Sequence, residues 1–597
     1  MSCFRSSPRR WKDISILGKV TAIASIVLLF TCLSAFIFPI FEVILPTVEK
    51  NLLHRDIART QLDQAMLRAW AAVTIVSIIT ALIAYFFCQH AEKRRLGVAS
   101  KKDRLWTAAV LACFSMLLCW LVIDYGHNWG GDFSQYISQA IAIVNGTVGQ
   151  QIESNAFIIE NSALGLGPIV YPWGTPLLLA PVYRIFGLDL FALKAAGIVC
   201  FGIFVFLIHF FYSGQFRHPY AVYLTLLLSV NSAFITHTNS ILSDIPFLLF
   251  STLSIIVLQR MLRTKSGNKQ LLWGITFGIM SFCSFQIRSN GIILLITLLC
   301  MQILIMSSSL FCKNALLRKV NENSSKPYYP AHVAPYLVFV LLYFALSSYL
   351  PGGGEHHLKY VSLISLKGIL KNLIYYAKLL KGLFPVPLIP TIFYAASLIC
   401  FILGVIKVFF KNIPILVYSF GTMLLLILWP ATQGLRFLFP LIPFYLLFAA
   451  YGGKALFSKS SANVRFFVKS SLTYLCALLL IMTSLTAWDN LSGQRSADYG
   501  AFSANAMQSY AYIKENTSDN DIIAFFKPRV LLLNTNRRGF ALNADRSNLK
   551  KADYLLRSRD DDYEDIVAAE NGTDEGNLQF ESVFLNDEFE LFEIAER

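Results

Sequence analysis

Long apolar runs, cut at intervals by clusters of lysine and arginine, constrain this chain more than any other feature. Runs of about 17–25 apolar residues bounded by charge or turn residues fall at roughly 15–40, 69–88, 105–123, 188–212, 219–238, 244–262, 270–287, 290–310, 332–350, 385–407, 413–430, 434–453 and 469–487. Each is long enough to cross a hydrocarbon core of about 30 Å as a helix. The fold class expected is therefore an α-helical polytopic membrane protein of about 13 spans. With 55% hydrophobic and 15% charged residues, the composition agrees. Soluble domains carry about a quarter charged residues.

Charge is divided unevenly. From Ala501 to Arg597 there are 19 carboxylates against 11 Lys+Arg, and the first 500 residues hold 17 against 40. The basic excess sits between the apolar runs, where it reads as membrane topology and not as a nucleic-acid footprint. The clusters at Arg5/Arg9/Arg10, Lys93/Arg94/Arg95/Lys101/Lys102/Arg104, Arg263/Lys265/Lys269 and Lys313/Arg318/Lys319/Lys326 alternate with acid-rich connections. That pattern predicts a cytoplasmic N-terminus and puts 41–68, 124–187, 351–384 and the tail outside. The run at about 14–41 is too long for a cleaved signal, so an uncleaved first span is expected despite the Arg9-Arg10 pair. The eleven cysteines form no CxxC or Cys/His cluster and read as small buried apolar residues.

Two apolar stretches inside the 124–187 connection, Tyr136–Val144 and Pro176–Phe186, are too short to span and suit helices lying at the interface. The tail changes character. Ser503–Asn516 is amphipathic in a helical register, and Asp521–Phe526, Val530–Leu533 and Phe589–Ile594 read as short strands. An acidic stretch at Asp560–Asp565 reads as a loop of a small α/β domain.

Chemistry-bearing residues gather at the outer ends of the runs. Gly130-Gly131-Asp132 presents a carboxylate that is either a general base or the cap of a helix 133–145. Tyr171-Pro172-Trp173-Gly174-Thr175-Pro176 is a rigid turn into a short helix. Ser243-Asp244-Ile245-Pro246 opens a run with an acid, again a functional group or a cap. Arg288-Ser289-Asn290-Gly291 and Arg436-Phe437-Leu438-Phe439-Pro440 put two guanidinium groups on the same side, as a phosphate clamp or as headgroup anchors. Lys359, Lys367, Lys371, Lys378 and Lys381 follow a glycine-rich segment with His356-His357, a weak metal motif. Acids for an acceptor hydroxyl and cations for a leaving phosphate point to group transfer from a lipid phosphate.

In this order, Gly131-Asp132-x3-Tyr136-x3-Ala140, then Tyr171-Pro172-x-Gly174-x-Pro176-Leu177, Ser243-Asp244-x-Pro246-Phe247, Arg288-x-Asn290-Gly291 and Arg436-Phe437-Leu438, the motifs resemble the GT-C superfamily of polyprenyl-phosphate-sugar-dependent glycosyltransferases. That superfamily includes protein O-mannosyltransferases and the aminoarabinose transferase of lipid A. Phe526-Lys527-Pro528-Arg529 through Arg537 is similar to the soluble C-terminal domain of bacterial members. The resemblance covers about 105–597. It implies that Asp132 is the family's loop acid, used for acceptor activation or metal binding, that Arg288 and Arg436 meet the donor phosphate, and that transfer inverts the anomeric carbon. Phe133 stands where many members carry the second acid of an Asp-Glu pair, a departure that leaves metal dependence open.

The organisation expected is an N-terminal hairpin with a basic cytoplasmic loop (1–104), a GT-C-like catalytic core (105–490) and an extracytoplasmic α/β domain (491–597). The function expected is sugar transfer from a polyprenyl-phosphate donor to a hydroxyl of a lipid, polysaccharide or protein acceptor at the outer face of a bacterial inner membrane. Asp132 is the base, Asp244 a supporting acid, and Arg288, Asn290, Arg436, Tyr136 and Tyr171 bind substrate. A divalent cation is left open, and nucleic acid is no partner. A polymerase or ligase of lipid-linked glycans is the alternative enzyme. A lipid or solute transporter is the alternative that does no chemistry.

Overall fold

The computed structural model of the chain describes residues 100–162, 167–310, 325–352, 364–384, 390–430, 432, 434–458, 460–491, 500–543, 547–559 and 578–596. The first two apolar runs, the twin arginine, His356-His357 and the acidic 560–565 segment lie outside them.

Among the described residues seven helices are long and apolar enough to cross a membrane. They are α1 (Lys101–Val122), α5 (Leu190–Ser213), α8 (Asp244–Arg263), α9 (Gly267–Ile287), α10 (Ile293–Leu310, preceded by a 3-10 turn from Ser289), α11 (Tyr329–Ser347) and α16 (Ala462–Leu491). A further apolar pair, α6 (His218–Ser229) and α7 (Ser232–Thr238), meets at 49° and forms either an eighth, broken span or a re-entrant loop. Three shorter apolar helices complete the bundle, within α13 (Pro390–Val408), α14 (Ile413–Leu428) and α15 (Ile442–Phe457). Thirteen runs were expected from the sequence; the described residues give seven or eight helices of full spanning length.

The break between α6 and α7 is chemically closed. Backbone groups freed within a membrane must find partners. Thr483 of α16 donates its hydroxyl to the Val230 carbonyl (2.9 Å), Asn231 accepts from the Ala233 amide (3.0 Å), and the same side chain donates to the Leu383 carbonyl (2.9 Å). The side chains left on the outside of the bundle, such as Trp106, Ile303, Phe344, Ile406 and Phe420, are apolar, as lipid contact demands. The cysteines are less uniform than expected: Cys119, Cys200 and Cys476 are buried, but Cys113 is exposed on the apolar flank of α1.

Helices α13 and α15 cross with their backbones touching. A Cβ added at Gly404 would run into the Phe448 carbonyl, and one at Gly452 into the Cys400 carbonyl. Such crossings rely on small residues. Gly404→Ala therefore forces the helices apart and should cost about 1–3 kcal/mol, read as a lower unfolding temperature in detergent. Gly453→Ala, on the same helix with nothing near its Cβ, should be harmless.

Between α1 and α5 the chain forms three helices outside the spans: α2 (Gly131–Asn145), α3 (Val148–Asn161) and α4 (Gly174–Phe186). The first and third match the interface stretches read from the sequence; α3 was not anticipated. After α11 comes α12 (Leu366–Leu379).

The tail folds into a domain built on a five-stranded mixed sheet of order β2-β1-β3-β5-β4. Its strands are β1 (Ile522–Ala524), β2 (Arg538–Phe540), β3 (Tyr554–Ser558), β4 (Leu578–Leu585) and β5 (Phe589–Glu596). Strand β1 runs parallel to β2 and β3, and β5 is antiparallel to β3 and β4. Helix α17 (Ala504–Asn516) is capped by the Ser503 hydroxyl. One expectation is overturned: Val530–Leu533 is not a strand but the middle of α18 (Pro528–Thr535), which links β1 to β2. Four apolar residues in a row do not distinguish helix from strand. Pro528 at the first turn starts the helix, and Asn536 (φ 58°) ends it in the left-handed conformation.

Candidate active site

Asp132 stands in the first turn of α2, whose N-cap is Gly130 and makes no side-chain capping bond. The carboxylate is thus not spent on the helix end. It is 40% exposed and accepts a hydrogen bond from the Tyr171 hydroxyl at 2.7 Å. Tyr171 is held on both sides of its peptide by Gln139: its amide donates to Gln139 Oε1 (3.1 Å) and its carbonyl accepts from Gln139 Nε2 (2.9 Å). Its ring packs against Tyr136 at 5.2 Å between centroids, and Tyr136 donates to Ser243 Oγ (3.1 Å). Burial, reinforced by the Asp132 charge, pushes both phenols well above their usual range. Both remain protonated donors.

The second half of the site lies where α8 begins and α9 ends. Asp244 is 2% exposed, in the first turn of α8; the N-cap residue Ser243 makes no capping bond. Arg288, at the C-terminus of α9, donates to Asp244 Oδ1 at 2.7 Å. Arg436, in a 3-10 turn before α15, brings one nitrogen to 3.5 Å of Asp244 Oδ2 and another to 3.9 Å of Asp132 Oδ2. Phe437 lies beneath both guanidinium groups, 4.4 Å from Arg288 and 5.2 Å from Arg436. Neither acid is the N-cap residue of its helix, and each arginine faces a carboxylate. Four residues far apart in sequence form one chain, Asp132–Arg436–Asp244–Arg288.

The glycine of the Tyr171-Pro172-Trp173-Gly174 turn has a steric reason. A Cβ at Gly174 would sit 2.6–2.7 Å from the backbone of Gln286 and Ile287, just before Arg288. Trp173, buried, donates to the Pro351 carbonyl (3.0 Å). Asn290 does not join the cluster; its side-chain oxygen is buried with no hydrogen-bond partner among the described residues.

A second polar centre roots the loop. Lys194, fully buried near the start of α5, donates to the Asp124 carboxylate (2.8 Å), the Asp124 and Gly126 carbonyls (2.9 and 2.5 Å) and Asn239 Oδ1 (2.9 Å). Asn239 in turn donates to the other Asp124 oxygen (2.8 Å). Breaking such a pair strands a buried charge. The lysine was overlooked in the sequence, although an ionisable group within an apolar run is itself a signal.

Next to this centre, His127 Nε2 accepts from the Ile241 amide (3.2 Å) and its Nδ1 donates to the Asn128 carbonyl (3.0 Å). Burial lowers its pKa from 6.5 to about 4, and a proton on Nε2 would face the Ile241 N–H donor. The folded protein binds this proton more weakly than the unfolded chain. The contribution is full above about pH 6.5 and is lost as pH falls toward 4, to the extent of roughly 3 kcal/mol. Thermal unfolding in detergent should show that acid limb, and His127→Gln should flatten it.

Helix α12 turns Asn372 and Tyr376 inward, with Asn372 donating to the Ile427 and Trp429 carbonyls (3.0 and 2.7 Å). Leu366, Leu370, Leu373 and Ile374 remain exposed beside Lys367, Lys371 and Lys378, the faces of an interfacial helix. None of these lysines forms an ion pair with the acids of the cluster among the described residues. Nor does the cluster fit a divalent ion. Each acid already faces a guanidinium, and among the described residues no three His, Cys, Asp or Glu side chains converge.

The arrangement has solved counterparts in fold. Two structures of ArnT from Cupriavidus metallidurans, one bound to undecaprenyl phosphate and one in the apo state, superpose with TM-scores of 0.52 and 0.50. Both are 11% identical, with 81% of this chain and 97% of theirs covered. The oligosaccharyltransferase AglB from Archaeoglobus fulgidus, solved with an inhibitory peptide and a dolichol-phosphate, superposes at 0.48 with 10% identity, over 77% of this chain and 70% of its own. At such identities the likeness to ArnT is one of fold alone. In sequence, residues 185–350 match the family described as dolichyl-phosphate-mannose-protein mannosyltransferase. No curated protein is similar enough in sequence to count as a relative. Over residues 185–350 the chain is thus similar in sequence to that mannosyltransferase family, within a polytopic helical fold that it shares with ArnT.

Proposed function

We propose that the protein moves a sugar from a polyprenyl-phosphate donor to a hydroxyl acceptor at the non-cytoplasmic face of a bacterial inner membrane. The observation that carries this reading is the chain Asp132–Arg436–Asp244–Arg288, in which a partly exposed carboxylate lies beside Arg436 and Asp244 joins Arg436 to Arg288. The donor phosphate occupies Arg288 and Arg436. Their charge stabilises the negative charge that grows on the leaving oxygen. The acceptor oxygen forms a bond to the anomeric carbon, the carbon–phosphate-oxygen bond breaks with its electron pair on the phosphate, and the hydroxyl proton passes to Asp132. Attack opposite the leaving group inverts the centre, as the family resemblance implies.

Asp244 is too enclosed to meet substrate and acts instead as the anchor that aims both arginines. Tyr171 orients Asp132, and Tyr136 supports Tyr171. The basic end of α8, with Arg260 and Arg263, is opposite Asp244, which by the positive-inside rule supports a site on the outer side. The same argument supports an outer C-terminal domain, because it packs on the α2 and α3 helices beside the site. A lipid, a polysaccharide or a protein can each supply the hydroxyl. Purified protein in detergent, given radiolabelled polyprenyl-monophosphate sugars with cell-envelope fractions as acceptors, should release polyprenyl phosphate and label an acceptor. Label transferred only from diphosphate-linked oligosaccharides would favour the polymerase or ligase. Binding without turnover of any donor would favour a transporter.

A further inference from the structure

The C-terminal domain reaches the reacting acid through one residue. Arg529, in the first turn of α18, is 4% exposed. Its Nε donates to Asn155 Oδ1 of α3 (2.9 Å) and its Nη2 to the Pro168 carbonyl (2.8 Å). Its guanidinium carbon lies 5.4 Å from the centre of the Tyr171 ring. At the hydroxyl end of that phenol stands Gly167, at φ +87°, where a Cβ would come within 2.7 Å of the Tyr171 hydroxyl oxygen. The same Cβ would be 3.7 Å from Nη1 of Arg529, so arginine, glycine and phenol are in one packed layer.

Neutral partners surround this cation. Among the described residues Arg529 forms no ion pair, although burying an unpaired guanidinium is costly. Holding a domain against a loop does not require a charge, since the Ala541 amide to Ser162 Oγ (2.9 Å) and Asn548 to the Asn161 carbonyl (2.8 Å) already do so without one. What the planar fork adds is a fixed platform: two directed donors lock its plane, and the plane meets the π-face of Tyr171. We propose that Arg529 is a positioning residue, fixing the Tyr171 ring so that its hydroxyl holds Asp132 Oδ1 and leaves Oδ2 toward Arg436 and the acceptor. The domain is thereby part of the geometry of the reaction and not only an appendage of the membrane core. This rests on the transfer reading given above.

The test is a double-mutant cycle with Arg529→Gln and Tyr171→Phe, together with Arg529→Lys. If Arg529 acts through Tyr171, each single change lowers kcat by about 10- to 100-fold, the scale of a small misplacement of a reacting group. KM for the lipid donor should stay within about twofold, because the arginines of the clamp are untouched, and the double variant should be no slower than the slower single one. Lysine, which keeps the charge but lacks the fork, should not restore kcat. Additive losses in the double variant, or wild-type kcat in Arg529→Gln, would overturn the proposal. Hydrogen exchange needs no turnover and keeps the two readings separate. Arg529→Gln should speed exchange in the 167–173 segment and the first turn of α2, while the strands of the domain stay protected. Unchanged exchange there would overturn the coupling even if no donor were accepted. A wild-type protein inactive with every polyprenyl-monophosphate sugar would instead remove the transfer reading.

Discussion

Asp132→Asn should lower sugar transfer by about 10³-fold while leaving the protein folded and its donor bound. The estimate follows from what the carboxylate does and does not hold. It caps no helix, is 40% exposed, and its bond from Tyr171 (2.7 Å) can be accepted equally by an amide oxygen. Conversion to Asn therefore removes basicity and little else, and general-base groups contribute about 10²–10⁴-fold. The measurement is initial rate against donor concentration, with donor KM as the control. A rate within tenfold of wild type would remove Asp132 from the role of base. Asp132→Glu should recover only part of the rate, since the longer side chain disturbs both the Tyr171 bond and the approach to Arg436.

Asp244→Asn should act in the opposite order, on the fold before the rate. Its carboxylate is the counter-charge of two guanidinium groups and is itself nearly inaccessible. Loss of one member of a buried pair costs about 3–5 kcal/mol. Arg288 and Arg436 are 16% and 28% exposed and can partly rehydrate, which puts the expected loss at about 3 kcal/mol. Donor affinity should fall as well, since the two arginines lose the anchor that aims them. Arg288→Gln added to Asp244→Asn should recover stability, because the main stranded charge is gone, but it should not recover donor binding. Thermal unfolding and donor titration separate the two effects. A variant as stable as wild type would mean that the arginines find other partners.

Most of the bundle was legible in the sequence because a membrane imposes its own period. Apolar length and basic punctuation located the runs now seen as α1, α5, α8, α9, α10, α11 and α16. The break at Val230–Asn231 was not legible, since an apolar run of sufficient length reads as one helix until the Thr483 and Asn231 side chains are seen to close the gap. Val530–Leu533 was misread because its apolar residues are contiguous, and only Pro528 hinted at a helix start. Asp132, Asp244, Arg288 and Arg436 were picked individually from their places at the ends of runs. Their mutual contacts depend on tertiary packing that no local pattern encodes. Lys194 and Arg529 show the reverse case, charges whose meaning appears only once their burial is known.

The four formal charges of the cluster cancel. Two carboxylates and two guanidinium groups produce little field beyond their own contacts, so a small free anion gains almost no long-range attraction from solution. An amphiphilic donor does not need it, because confinement to the bilayer already delivers its headgroup to the right depth. On the proposed reading, encounter should then respond weakly to ionic strength, and cellular inorganic phosphate should compete poorly for the two arginines.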